Sequence, residues 1–437
     1  MQKEKIAVFW FRRDLRLHDN AGFYRALKSG LPVLPLFIFD KAILDQLDNK
    51  EDKRVTFIYQ VIADLKKKLG KLDSDMEVKY GFPADIWKEL LINYDIGEVY
   101  TNHDYEPYAQ DRDGEIGALL IENGAEFKTF KDQVIFEKQE VLTGQNTVYT
   151  VFTPYSKAWR AKLNDFYLSS YPTEKYFSKL YKTKTQEIPT LKEMGFLETD
   201  HDFPSDEVRS SLIENYEATR NYPAIPGTSR IGIHLRFGTV SIRDLARKAL
   251  EKSGTWLNEL IWRDFYHQIL WNFPQVGEGK AFRAEYDNIR WRNNEAEFKL
   301  WCEGKTGYPL VDAGMHQLNE TGFMHNRVRM VTASFLTKHL LIDWRWGEAY
   351  FAAKLLDFDM ASNNGGWQWA AGSGTDAAPY FRIFNPTAQA EKFDKKGEYI
   401  KKWVLELNSL NYPAPIVDHK FARERCLQAY KEALTKG

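Results

Sequence analysis

Two apolar runs near the amino terminus limit what this chain can fold into more than any other feature. Lys5-Ile6-Ala7-Val8-Phe9-Trp10-Phe11 and Pro32-Val33-Leu34-Pro35-Leu36-Phe37-Ile38-Phe39 lack polar–apolar alternation. Both faces of each segment must therefore be covered, as in the buried strands of a parallel sheet. The pattern between and after them is helical. Val55, Ile58, Val61, Ile62, Leu65 and Leu69 share one face of a segment that ends at Gly70, which predicts an amphipathic helix closed by a C-terminal glycine. Further strands are expected over 76–80, 98–101 and 126–130, with helices over 83–93 and 111–123. Strands alternating with helices predict a doubly wound, parallel α/β domain over residues 1–130.

No glycine fingerprint for a dinucleotide follows the first run. Instead the segment from Phe11 carries Arg12, Arg13 and Arg16, with Asp19 or Asn20 available to cap a helix. Residues 131–205 lose periodicity and read as a connector with short helices. Residues 206–437 read as helical throughout. The expected architecture is thus an α/β domain joined by a long connector to an all-helical domain.

Composition narrows the function classes. A net charge of −1 over 437 residues provides no general attraction for nucleic acid, so any such binding needs a local basic face. Cys302 and Cys426 are the only two cysteines; they exclude a disulfide framework and a four-cysteine metal site, and no metal is expected. No uncharged apolar stretch is long enough for a membrane span, and the expected location is the cytoplasm. Of 13 tryptophans, only Trp10, Trp87 and Trp159 precede residue 250.

Candidate chemistry collects in four places. Asp357-Phe358-Asp359-Met360-Ala361-Ser362-Asn363-Asn364-Gly365-Gly366-Trp367-Gln368-Trp369 combines carboxylates, amides, paired glycines and indoles. That mixture suits a flat polar ligand held among aromatic rings, or else an acidic helix end followed by a turn. Tyr222-Pro223-Ala224-Ile225-Pro226-Gly227-Thr228-Ser229-Arg230 reads as a turn into a helix capped by Thr228 or Ser229, where free N–H groups could seat a pyrophosphate. In the helix expected from Trp256 to Trp271, Glu259, Trp262, Arg263 and Tyr266 fall on one face. Asn326 and Met330 lie one turn apart in another helix, from which Arg329 points elsewhere and could pair with an aspartate, while Arg327 could reach a phosphate.

These segments resemble the photolyase and cryptochrome family, most closely its bacterial class I cyclobutane pyrimidine dimer photolyases. The residues carrying the resemblance are Trp-Phe-Arg-Arg-Asp-Leu-Arg-Leu from Trp10, Gly-Thr-Ser-Arg from Gly227, Trp-Leu-Asn-Glu-Leu-Ile-Trp-Arg-Asp-Phe-Tyr from Trp256, Gly-Lys-Thr-Gly-Tyr-Pro from Gly304, Met-His-Asn-Arg from Met324, and Asn-Asn-Gly-Gly-Trp-Gln-Trp through the segment ending at Pro386. The resemblance implies FAD in the helical domain and light-driven electron transfer from reduced flavin to a flipped-out pyrimidine dimer. It implies FAD contacts from Tyr216, Thr228, Ser229, Arg230, Ile231, Gly232, Trp256, Glu259, Arg263, Asn326, Arg329, Asp357, Phe358, Asp359 and Asn363, with Asn363 facing the flavin N5. It places Glu259, Trp262, Asn326, Met330 and Trp369 around the lesion, Arg220 and Arg327 on DNA phosphates, and Trp291, Trp344 and Trp367 in a relay of electrons.

The same resemblance implies a monomer acting on ultraviolet-damaged DNA. A cryptochrome-type blue-light receptor without repair activity is the alternative, and a small-molecule flavin oxidoreductase would need a nicotinamide site that the sequence does not offer. Asparagine at 363, where plant cryptochromes commonly have aspartate, favours repair. Phe323, Gly232, His316 and Gly372 depart from common family residues. Tyr108-Ala109 and Gly277-Glu278 stand where folate-binding members have other pairs, so a folate antenna is poorly supported; a deazaflavin, another flavin or no second chromophore stays open.

Overall fold

A computed structural model describes residues 3–435. The chain forms two compact units, each discontinuous in sequence. The first holds the chain to Glu137, then Leu163–Glu207 and Ile231–Lys248; the second holds Lys138–Lys162, Val208–Arg230 and the chain from Ala249 on.

The first unit is built on five parallel strands: β1 (Lys5–Phe11), β2 (Val33–Asp40), β3 (Glu77–Gly81), β4 (Asp95–Asn102) and β5 (Glu126–Phe130). Their order is β3-β2-β1-β4-β5, with Phe9 opposite Pro35 on one side and Tyr100 on the other. β1 is buried along its length after Lys5, and β2 along all of it, as the unbroken apolar runs require. Helix α1 (Ala21–Leu27) starts at Asn20, whose side chain accepts from the Phe23 amide at 3.1 Å. Helices α2 (Lys53–Gly70) and α3 (Pro83–Asn93) lie where the periodicity puts them. Helix α4 (Pro107–Glu122) begins four residues before the expected start, because Pro107 is already suited to a first helical turn.

The two units do not follow linear boundaries at 130 and 205. Residues 231–248 belong with the sheet because Arg243 donates to Asp19 Oδ1 at 2.9 Å and to Asp132 Oδ1 at 2.8 Å, while Arg16 pairs with Asp132 at 2.6 Å. All four side chains are buried, and partners that far apart in sequence leave no local signal. Residues 138–162 belong with the helices because α5 (Phe152–Lys162) buries Phe152, Tyr155 and Trp159 there, with Trp159 Nε1 donating to Asp264 at 2.9 Å.

In the second unit five further helices matter for the site: α6 (Gly254–Asn272), α7 (Pro309–Thr321), α8 (Asn326–Ser334), α9 (Trp344–Lys354) and α10 (Met360–Ala371). Ser253 caps α6. Asp359 caps α10 by accepting from the Ser362 amide at 3.0 Å, and Gly372, with φ of 89°, ends it in the left-handed region. Among the described residues, no helix is long and apolar enough to cross a membrane.

Two local expectations are corrected. Gly365 and Gly366 do not form a turn; they lie inside α10, and a Cβ on Gly365 would fall 2.3 Å from the Tyr266 ring. That glycine lets α10 approach α6. Thr228 and Ser229 do not cap the next helix, Gly232–Phe237, which starts at Ile231 without a side-chain capping bond. The turn is made instead by Arg230 at φ 53°.

Candidate active site

The second unit encloses a cavity of about 420 Å³. Each wall follows from helix geometry. Glu259, Trp262, Arg263 and Tyr266 reach it from α6 by i, i+3, i+4 and i+7 spacing, and Asn326 and Met330 reach it from α8 one turn apart. Arg329 of α8, expected to point elsewhere, lines the same cavity, because its long side chain extends to Asp357. Asp357, Phe358 and Asp359 lead into α10, which adds Asn363, Trp367 and Trp369. Arg220 completes the lining. Trp369 lines the same cavity as Glu259 and Trp262.

Three polar pairings organise this space. Arg329 donates from Nη2 to both oxygens of Asp357, at 2.9 and 3.1 Å, while its Nε donates to Met324 O at 2.7 Å. A planar guanidinium anchored twice holds the carboxylate in one place. Asn363 donates from Nδ2 to Glu348 Oε1 at 2.8 Å and to its backbone O at 3.1 Å. Two oxygen acceptors on one side orient that amide, so Oδ1 is the atom it has left to offer. Glu259 bonds to Arg220. Burial pushes its carboxyl above the usual carboxylate range, and Arg220 opposes that rise. Burial also raises the Glu348 carboxyl, with the Asn363 bond acting the other way.

Aromatic packing shapes the rest. Trp262 stacks on Phe152 with ring centroids 3.7 Å apart and planes 3° from parallel, and it makes a T-shaped contact with Phe265 at 5.6 Å. Trp367 is buried, edge-on to Phe351 at 4.9 Å and to Trp301 at 6.1 Å. Trp344 is buried in the same core, and Trp291 packs against it and against Tyr430 at 6.1 Å.

Several expected residues do not line the cavity: Tyr216, Thr228, Ser229, Arg230, Ile231, Gly232, Trp256, Arg327, Trp291 and Trp344. Tyr216 lies 5.4 Å under the Arg220 guanidinium, and Arg230 lies 4.4 Å over Phe323. Ile231 and Gly232 belong to the first unit. Arg327 donates to Asn221 at 2.6 Å and covers Phe393 at 4.4 Å. Trp256 is buried. His316 is not in the lining either; its ring nitrogens face the carbonyls of Trp403 and Glu303 at 2.8 and 3.1 Å.

Sequence reasoning missed Glu348 and Phe152. Glu348 lies on α9, one turn after Trp344, with no motif around it. Phe152 comes from a segment read as connector; its pairing with Trp262 spans 110 residues and has no periodic signature.

The segment over residues 7–175 matches the family model described as DNA photolyase, and residues 256–411 match the one described as FAD binding domain of DNA photolyase. The chain is 38% identical to the deoxyribodipyrimidine photo-lyase of Escherichia coli, over 98% of this chain and 99% of that protein. It is 36% identical to the Synechococcus protein of the same name, over 97% and 96%. Among solved structures it resembles a bacterial class III photolyase from Agrobacterium tumefaciens, with a TM-score of 0.87 and 33% identity over 100% of this chain and 99% of that one. It also resembles a Synechocystis cryptochrome, with a TM-score of 0.83 and 25% identity over 98% and 100%.

Proposed function

The chain belongs to the DNA photolyase family, and on that premise we propose that it is a light-dependent DNA repair lyase that splits cyclobutane pyrimidine dimers with FAD as its cofactor. One observation carries the reading: Glu259, Trp262, Asn326, Met330 and Trp369 face the same cavity as Arg263, Arg329, Asp357, Asp359 and Asn363. The residues this reading gives to the lesion and those it gives to the flavin line one cavity, which supports it.

The residues present fit FAD. Asn363 lines the cavity with its amide nitrogen engaged by Glu348 and its amide oxygen left to accept, Arg329 and Asp357 form an oriented charge pair, and Phe351, Phe358, Ala333 and Leu355 supply dry walls for a flat ring. When bound and reduced, FAD supplies the photoexcited electron that opens the dimer. The chain supplies binding, orientation and exclusion of water. Trp262 and Trp369 offer ring faces and edges to flipped-out bases, and Met330 a soft contact. Glu259 and Asn326 offer hydrogen-bonding groups to pyrimidine edges, and Glu259, when protonated, would donate a hydrogen bond to the negative charge that develops on the dimer. Arg220 and Arg327 neutralise phosphates flanking the lesion. Trp367, Trp344 and Trp291 lie in or against one packed core, which suits an electron relay to the cofactor. The protein acts in this reading as a cytoplasmic monomer.

The test is repair of ultraviolet-damaged oligo(dT) by the photoreduced protein under blue light and in darkness. Light-dependent loss of dimers is expected, with Glu259→Ala and Trp262→Ala weakening repair or lesion affinity. Unchanged dimers with fully reduced flavin would overturn the reading, and light-dependent association with a protein partner in its place would favour a cryptochrome-type receptor.

A further inference from the structure

Three carboxylates line the cavity, and they are held differently. Asp357 is gripped by Arg329, itself anchored to Met324 O. Asp359 is tied into the start of α10 through the Ser362 amide and lies 3.5 Å from His267 Nε2. Glu259 has Arg220 alone as its hydrogen-bond partner among the described residues. Both members of this last pair keep about a third of their side chains exposed, 28% for Arg220 and 32% for Glu259, and both line the cavity. Arg220 sits just past the short helix Tyr216–Thr219, outside the long helices. A pair so placed is the one that an entering anion can break.

We infer that Arg220 passes from Glu259 to a backbone phosphate when a DNA lesion enters, and that Glu259 then takes up one proton from solvent. This rests on the repair reading above and deepens it. The exchange balances: the phosphodiester replaces the carboxylate as counter-ion of Arg220, and the proton neutralises the charge left on Glu259. No other group changes state. Without the proton, an unpaired carboxylate would be enclosed by the incoming bases, a costlier arrangement than a neutral acid. The acid also gains a function. A carboxylate can only accept hydrogen bonds, whereas a carboxylic acid donates one to a pyrimidine carbonyl and still accepts one from a ring N–H.

The surroundings of Glu259 favour this exchange. Burial already drives its carboxyl upward, and Arg220 is the one charge opposing it. Arg263 and Tyr266 share its helix; Arg329, Asp357 and Asp359 occupy other parts of the lining; and Tyr216 lies under Arg220. Arg327 repels Arg220. Once Arg220 leaves, the effect of burial stands alone.

Calorimetry of the flavin-loaded full chain tests this. A duplex with one thymine dimer is titrated in the dark into buffers of different ionisation enthalpy. The expected result is net uptake approaching one proton per duplex, with affinity falling as pH rises, by up to about tenfold per pH unit where uptake is complete. An infrared carboxylic-acid C=O band should appear on binding. Glu259→Gln should abolish the uptake, the band and the associated pH dependence. Arg220→Gln, which lets Glu259 hold its proton before DNA arrives, should reduce the uptake, and Arg220→Lys should restore part of it. Binding and repair without proton uptake or a new band would overturn the exchange and leave the repair reading intact. Uptake unchanged in Arg220→Gln would overturn the part assigned to Arg220. Failure of the reduced protein to bind or repair the dimer would overturn both.

Discussion

Asn363 commits its amide nitrogen to Glu348, reaching both the side-chain carboxyl at 2.8 Å and the backbone carbonyl at 3.1 Å. Its amide oxygen is the group left for a ligand in the cavity that Asn363 lines. Glu348→Ala should free the amide to rotate, costing about 1–2 kcal/mol of stability and shifting the flavin midpoint potential, read by spectroelectrochemical titration. Burial raises the Glu348 carboxyl. The folded chain thus holds that proton more tightly than the unfolded one. Its contribution to stability is present below the ordinary carboxylate range and is lost as pH rises through the raised value. Glu348→Gln keeps an acceptor for Asn363 and should remove that loss, seen as a flatter profile of denaturation midpoint against pH.

The Arg329–Asp357 pair gives a second prediction. Arg329→Ala leaves a partly buried carboxylate without its guanidinium, so stability should fall by about 1–3 kcal/mol. Flavin retained after dialysis, measured by absorbance, should fall as well. Asp357→Asn keeps the shape and should retain more flavin than Arg329→Ala.

Trp262 is held flat by Phe152. Trp262→Ala should weaken binding of dimer-containing DNA by about 1–3 kcal/mol, the usual range for one stacked base, as measured by fluorescence anisotropy. Phe152→Leu should produce a smaller loss in the same direction, because the indole stays but its support does not.

Trp367 is buried between Phe351 and Trp301. Trp367→Phe should block photoreduction of oxidised flavin under blue light while sparing repair by chemically reduced protein. Equal photoreduction in variant and wild type would remove Trp367 from the relay.

Gly365 and Gly366 are neighbours with opposite expectations. A Cβ at 365 meets the Tyr266 ring at 2.3 Å, whereas one at 366 meets nothing within 4 Å. Gly365→Ala should destabilise by about 1–3 kcal/mol through overpacking, and Gly366→Ala should stabilise by up to about 1 kcal/mol through helix propensity. Thermal denaturation compares the two.

The sheet was legible in the sequence because burial on both faces leaves unbroken apolar runs, as in β1 and β2. The shared face of Glu259, Trp262, Arg263 and Tyr266 was legible because helical spacing is local, and so was the turn of α8 carrying Asn326 and Met330. Tertiary structure decided what depends on partners distant in sequence. It put Glu348 behind Asn363, Phe152 against Trp262 and Arg220 on Glu259. It kept Gly365 and Gly366 within α10, and it brought 231–248 to the sheet through Arg243, Asp19 and Asp132. Periodicity records which face of an element is covered. It does not record which distant side chain covers it, because that choice is made by packing and by pairing of buried charges once the elements meet.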